Sequence, residues 1–408
     1  MRLTRRIFAA GALAGSIAGS GARPARAAAP VRIGVLTEMG GPYAEDSGRG
    51  SVAAARFAIE DFQRTQPGLA VELVSADAQT KPDVAAATAG AWYDRDGVDM
   101  IIDVPVSNCA LAVASVARAR NKVAIFNTST SDLTGKACSP NHVHWAFDTY
   151  ALSASTARAL LADGGDTWFL IQADYTFGAV LAAEATAVVQ AGGGRVLGTV
   201  KHPFPGTTDF SSYLLAAQAS GAKIIGLANA GTDAANCIKQ AGEFGLTRGG
   251  ARLAALQCLL PSIRGVGAEA AQGLFLTEAF YWDANPDTRA FSERFARAVP
   301  GTRPCMIHAG CYAGVLHYLK AIASMPEAAR ADGAAAVAAM KRLPTDDPLF
   351  GKGRIREDGR KIHDMHLYRV KSPAASRDPW DLYDLVHTTP GEQAFRPLRE
   401  GNCPLVSG

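Results

Sequence analysis

From Val31 onward the chain alternates two textures, and this alternation restricts the possible fold more than any other feature. Short β-branched runs read as strands at 31–36, 70–75, 100–103, 123–126, 168–172, 194–200, 223–227 and 253–256. Between them lie Ala-rich stretches with helical spacing, at 49–64, 81–95, 110–119, 152–162, 178–191, 211–219 and 234–244. Repeated strand-then-helix units build parallel sheets with helices on both faces. Strands buried on both faces are continuously apolar, as these are, instead of alternating. Two half-patterns stand out, about 31–147 and 148–280, each with enough strands for its own doubly wound domain. A mostly helical section follows at 287–342. Beyond it, Arg354 to Arg360 reads as a turn between strands, and 366–370 as a strand. The expected fold class is α/β, with two doubly wound parallel-sheet lobes and the ligand at the carboxyl ends of the strands.

Residues 1–27 are set aside, because they read as an address and not as structure. A basic head ending Arg5-Arg6-Ile7-Phe8 leads into a weakly apolar Ala/Gly run and a small-x-small cut site, Ala25-Arg26-Ala27. The Arg pair resembles the twin-arginine export signal, so removal near Ala27 and a periplasmic location are expected. Of the 41 Lys and Arg, five (Arg2, Arg5, Arg6, Arg23, Arg26) belong to this leader, leaving 36 against 38 Asp and Glu. That balance supports neither nucleic-acid nor anionic-membrane binding. No later apolar run reaches bilayer-spanning length, so no membrane insertion is expected. The seven cysteines are scattered and odd in number. They form no paired CxxC spacing, so no zinc site is expected. Cys237, Cys305 and Cys311 sit in apolar helical contexts and are expected to pack as small hydrophobes.

Two segments carry the candidate chemistry. After the third strand the chain reads Val104-Pro105-Val106-Ser107-Asn108 ahead of an Ala-rich helix. This places a hydroxyl and several free backbone N–H groups at one helix N-terminus, a seat for a carboxylate. Two readings stand for Ser107: it caps its helix, or it holds a ligand. After the fourth strand comes Asn127-Thr128-Ser129-Thr130-Ser131-Asp132-Leu133-Thr134, which is either a polar turn before a helix capped by Asp132 or a binding lip.

The strand order, the Gly40-Gly41-Pro42 turn, Ser107 before its helix and Ser129-Thr130 after the next strand together resemble the type I periplasmic binding proteins. The resemblance is to the leucine/isoleucine/valine-binding branch of the branched-chain amino-acid importers. Further matches are Asp174 to Gly178, Phe204 to Phe210, Ile238 to Ala241 and Gly353 to Arg356, so the likeness spans nearly the whole mature chain. It implies a two-lobed receptor with a three-crossover hinge near Asp148, Phe280 and Leu343. Lobe 1 is expected at 28–147 and 283–345, and lobe 2 at 148–282 and 346–408. It also implies a carboxylate held by Ser107, Ser129 and Thr130, with an aromatic ring brought over by Phe177 or Tyr175. Further candidates are Tyr43 and Asp46 in the first loop, Tyr150 near the first crossover, and Asn229 and Asp233. Asp233 is read equally as a helix cap. The same resemblance implies a disulfide between Cys138 and Cys403, in the settings Gly135-Lys136-Ala137-Cys138 and Gly401-Asn402-Cys403-Pro404-Leu405. An ABC permease and its ATPase are the implied partners, and the chain is expected to be monomeric.

One departure from that branch bears on the ligand. Leucine-type proteins place an acid after a second-lobe strand to pair with the ligand's ammonium. Here that neighbourhood reads Leu256-Gln257-Cys258-Leu259-Leu260. An unpaired buried ammonium is costly, so an amino acid needs Asp233 or Asp46, and an amine-free aromatic or aliphatic acid competes with it. An enzyme is not expected: there is no Gly-x-Ser-x-Gly elbow and no phosphate-binding Gly-x-x-x-x-Gly-Lys loop. No cofactor and no metal are expected, His363 and His366 lacking a third ligand nearby. His142 and His144 are expected to flank a strand or crossover, with His144 a cleft candidate. A sensing receptor with the same lobes remains the alternative to transport.

Overall fold

The computed structural model describes residues 29–406, so the leader read at 1–27 lies outside the described residues. The first lobe opens with β1 (Val31–Thr37), α1 (Gly48–Thr65), β2 (Val71–Asp77), α2 (Pro82–Asp94), β3 (Met100–Asp103), α3 (Ser107–Ala119), β4 (Val123–Phe126) and β5 (His142–His144). The second continues through α4 (Thr149–Ala162), β6 (Thr167–Ala173), α5 (Thr176–Ala191), β7 (Arg195–His202), α6 (Ser211–Ala219), β8 (Ile224–Ala228) and α7 (Gly231–Glu243). It goes on with β9 (Arg252–Ala255), α8 (Leu260–Val266), α9 (Ala268–Ala271) and β10 (Phe275–Glu278). The chain then returns as α10 (Pro286–Ala298), α11 (Met306–Ala323) and α12 (Gly333–Arg342), which pack on α1, β3 and β4 of the first lobe. The last part comprises β11 (Thr345–Asp347), β12 (Gly351–Ile355), β13 (Lys361–Ile362), β14 (Met365–Val370), β15 (Tyr383–Thr389) and α13 (Gly391–Ala394).

The first sheet runs β2-β1-β3-β4-β5, all parallel. The second repeats that order as β7-β6-β8-β9-β10, then adds β14 and β15 beyond β10. In each lobe the order reverses next to the first strand, between β1 and β3 and between β6 and β8. Loops leaving those strands part there and open a crevice at the carboxyl ends. Strands β3, β4 and β8 are buried at every position, which is why they read as unbroken apolar runs.

At one edge the second sheet is mixed, because β14 pairs antiparallel with β10, and β15 with β14. Both come from the returning tail, which needs no helical crossover to pair in that sense. Strands β5 and β10, three and four residues long, are too short to show a period. His142 and His144 therefore form a strand instead of flanking one. Their Nε2 atoms bond the carbonyls of Leu133 at 2.7 Å and Thr128 at 2.8 Å. Burial pushes His142 down to about 4 and His144 well below the ordinary range.

Between the lobes, β11, β12 and β13 form a small antiparallel sheet. The turn read at Arg354 to Arg360 is there, closed by Arg356 N–H to the Arg360 carbonyl at 2.9 Å. Arg360 is fully buried, and its guanidinium donates to the carbonyls of Trp145 and of Phe147, the latter at 2.9 Å. This pins the segment where the chain first leaves the first lobe. Among the described residues, no helix is long and apolar enough to cross a membrane.

Candidate ligand cleft

The lip of the first lobe is made by backbone. At the end of β3, Asp103 and Val104 adopt φ of 89° and 52°. This left-handed region costs non-glycine residues about 1–3 kcal/mol each and is most unusual for a β-branched side chain. The bend is held by Val104 N–H to the Leu36 carbonyl at 2.8 Å. It delivers Ser107 as the first residue of α3. The N-cap is Val106, with no side-chain cap, so Ser107 does not serve as the cap. Thr128 Oγ1 donates to the Pro105 carbonyl at 2.8 Å and laces the loops after β3 and β4 together. Ser129 and Thr130 thus follow β4, and Ser107 follows the adjacent β3. Thr130, not Asp132, caps the short turn that follows, accepting from Asp132 N–H at 3.4 Å.

The second lobe meets this lip through its own strand ends. Ser129 Oγ donates to Gln257 Oε1, just after β9, at 2.6 Å. The hydroxyls of Tyr43 and Tyr175 touch across the gap. Tyr175 stacks on Phe204 with centroids 4.1 Å apart, and Phe204 lies 6.0 Å from Tyr43. Phe177 stands behind Tyr175 at 5.6 Å and is 1% exposed, so the ring that reaches the first lobe belongs to Tyr175. Thr232 N–H donates to the Pro42 carbonyl at 3.3 Å. Gly231, at φ 58°, lies so close that a Cβ would meet that oxygen at 2.2 Å. Asp46 accepts from Ser262 of α8 at 3.0 and 3.1 Å.

Behind the rings lies a buried polar group. Asn229 Nδ2 is 3.3 Å from His202 Nε2, and His202 Nδ1 is 3.7 Å from Asp233. Asp233 is the third residue of α7, whose N-cap is Ala230, so it does not cap the helix. Its Oδ2 has no hydrogen-bond partner among the described residues. Burial pushes Asp233 up to about 6 and holds His202 below its ordinary value. Burial likewise raises Asp46 to about 7. Tyr150 does not join the group: Arg158 donates to its hydroxyl at 3.0 Å and to the Gln393 carbonyl at 2.8 Å, beside the tail. Cys138 and Cys403 are disulfide-bonded, with Cα atoms 5.6 Å apart. Cys237, Cys305 and Cys311 are free and buried. No cluster of three or more metal-ligating side chains occurs among the described residues.

Sequence reasoning passed over Phe204, His202 and Ser262, and treated Gln257 only as a missing acid. All but Ser262 lie at or just beyond the carboxyl end of a strand, and that rule alone would have flagged them.

A model of the periplasmic binding protein family matches residues 30–376. The chain belongs to the periplasmic binding protein family. Among solved structures, this periplasmic binding protein is similar to one from Burkholderia mallei, at 42% identity and TM-score 0.87, over 93% of this chain and 99% of that one. It is also similar to a branched-chain amino acid ABC transporter periplasmic ligand-binding protein of Burkholderia xenovorans, at 38% identity and TM-score 0.83, over 92% and 99%. A solute-binding protein of an ABC transporter from R. palustris, in complex with 4-hydroxybenzoate, shares the fold at 21% identity and TM-score 0.79, over 89% and 98%. Among curated proteins, none matches the chain.

Proposed function

We propose that this chain is the solute-binding component of an ABC importer and that it closes on a small carboxylic acid lacking an amine. The leader directs export to the periplasm and is removed near Ala27. The lobes, divided as the resemblance implies, hinge near Asp148, Phe280 and Leu343, and a permease with its ATPase receives the closed form. The solute's carboxylate docks on Ser107, Ser129 and Thr130, and Tyr175 and Phe204 then cover its apolar body. The carrying observation is the Ser129–Gln257 contact at 2.6 Å, which sets a neutral amide beside the proposed carboxylate seat. The aromatic wall of Tyr43, Tyr175 and Phe204 suits a planar ring, and the R. palustris protein with 4-hydroxybenzoate shares this fold.

A second reading has one observation of its own. The Oδ2 of buried Asp233, which makes no hydrogen bond among the described residues and stands 3.7 Å from His202 Nδ1, is a place for an ammonium, which would make the solute an amino acid. Thermal-shift titration separates the two, because a ligand at a hundredfold its Kd adds about 2.7 kcal/mol. Stabilisation by 4-hydroxybenzoate or phenylpyruvate supports the first reading. Stabilisation by leucine or phenylalanine alone, lost in Asp233→Asn, replaces it with the second.

A further inference from the structure

Two hydrogen bonds that join the lobes share one design, in which a carboxyl of one lobe receives a serine hydroxyl of the other. Glu184 of α5 takes Ser131, beside the lip, at 2.5 Å. Asp46, in the loop after β1, takes Ser262 of α8 at 3.0 and 3.1 Å. Their surroundings differ. Glu184 has the Arg396 guanidinium of the tail 3.7 Å away, with Asp148 and Thr149 also facing it, and burial still raises it to about 7. Asp46 is 3% exposed, and the groups that bear on it among the described residues are acids and neutral groups. Glu45 faces it from its own loop, Glu278 from the end of β10, Cys258 from beyond β9, and Tyr43 from the same loop. Cys305, ahead of α11, donates its thiol to the Asp46 carbonyl at 3.3 Å. His308 of α11 bonds the Ser47 carbonyl and is kept neutral by burial.

We propose that Asp46 is a positioning residue for lobe closure and that closing the cleft takes up a proton at the Asp46–Ser262 clasp. This rests on the reading that the lobes close on a solute. Opening withdraws Ser262 and Glu278 with the second lobe and returns Asp46 to water, where a carboxyl titrates near about 4. In the closed form burial, with Glu45 adding to it, holds the same group up to about 7. Between those values the open form has lost the proton and the closed form keeps it. Closure therefore strengthens as pH falls from about 7 toward 4, by up to about tenfold per unit, and levels off below. A protonated Asp46 still accepts the Ser262 hydroxyl, so the clasp survives uptake.

The test uses the mature protein. Small-angle scattering without added solute follows the lobe opening from pH 8 to pH 5, and calorimetry with 4-hydroxybenzoate at pH 6 compares buffers of different ionisation enthalpy. The expected result is a smaller radius of gyration at pH 5 and proton uptake on ligand binding. Asp46→Asn, a permanent mimic of the protonated group, should weaken the scattering response, take up about one proton fewer per ligand and bind more tightly than the natural protein at pH 8. Glu184→Gln, at the other clasp, should remove only the share of uptake that belongs to Glu184, which burial also raises to about 7, and leave the Asp46 share in place. A pH-independent natural protein, or Asp46→Asn that weakens closure equally at every pH, overturns the proposal. If 4-hydroxybenzoate gives no heat while scattering responds to pH more in the natural protein than in Asp46→Asn, the solute reading falls and the proton linkage stands.

Discussion

Replacing Gln257 by a glutamate tests the amine-free reading at a single pair of atoms. Ser129 Oγ lies 2.6 Å from Gln257 Oε1. A docked carboxylate accepting from the same hydroxyl would hold its charge about 4–5 Å from residue 257, given ordinary hydrogen-bond lengths. Glutamine adapts to this, because its amide turns to present N–H groups once Ser129 donates to the solute, whereas an ionised carboxylate offers acceptors only. Two like charges at about 4.5 Å repel by about 3.7 kcal/mol at an effective dielectric of about 20, a loss of several hundredfold. Calorimetry with 4-hydroxybenzoate at pH 7.5 should read that loss in Gln257→Glu, and circular dichroism melting should show the variant folded. At pH 5 the loss should shrink, since the introduced carboxylate relieves the repulsion by protonating. Phenylalanine should respond in the opposite sense, its ammonium finding a partner. If Gln257→Glu binds the acid within threefold of the natural protein, residue 257 does not stand beside the carboxylate and the reasoning fails.

Ser107→Ala and Thr130→Ala should each weaken binding by about 1.5–3 kcal/mol, the range for a hydrogen bond to a charged group, and normal affinity in both would remove the lip from the site. Tyr175→Ala should speed solute release in stopped-flow more than Tyr175→Phe, because it removes the stack on Phe204 as well as the contact with Tyr43; equal rates would leave the ring without a role. Cys138→Ser and Cys403→Ser should each lower the melting temperature, and the double variant should fall no further than the singles, since either change opens the same 265-residue connection, whose loss costs about 2–5 kcal/mol. Additive losses would mean that the two sulfurs are not bonded in solution. Arg360→Met should destabilise by about 3–5 kcal/mol in urea unfolding, since it leaves buried carbonyls and Asp148 without their cation.

What could be read along the chain was what neighbouring residues decide. The β-branched and Ala-rich textures mark each βα unit, and Ser107, Ser129 and Thr130 closely follow the strands whose carboxyl ends the rule proposes as a site. What escaped depends on partners far away in sequence. Strand β10 carries only Phe275 to Glu278, and its assignment rests on β9 and on β14, nearly ninety residues later. Tyr150 looked like a cleft group until Arg158 and the tail claimed its hydroxyl. Ser262 and Asp46 lie 216 residues apart, and nothing local to either announces the other. The histidines misled because two imidazoles in a three-residue strand have no apolar signature, although their rings are satisfied by backbone carbonyls.

The left-handed pair at Asp103 and Val104 bears on how such a receptor changes its diet. A socket formed by a forced bend tolerates few exchanges, because any side chain there must first pay for the backbone and then fit. The opposing wall carries its chemistry on side chains, Tyr175, Phe204, Asn229 and Gln257, that can be swapped one at a time. New solutes should therefore be selected by altering the moving jaw, while the anvil that receives their acid group stays as it is.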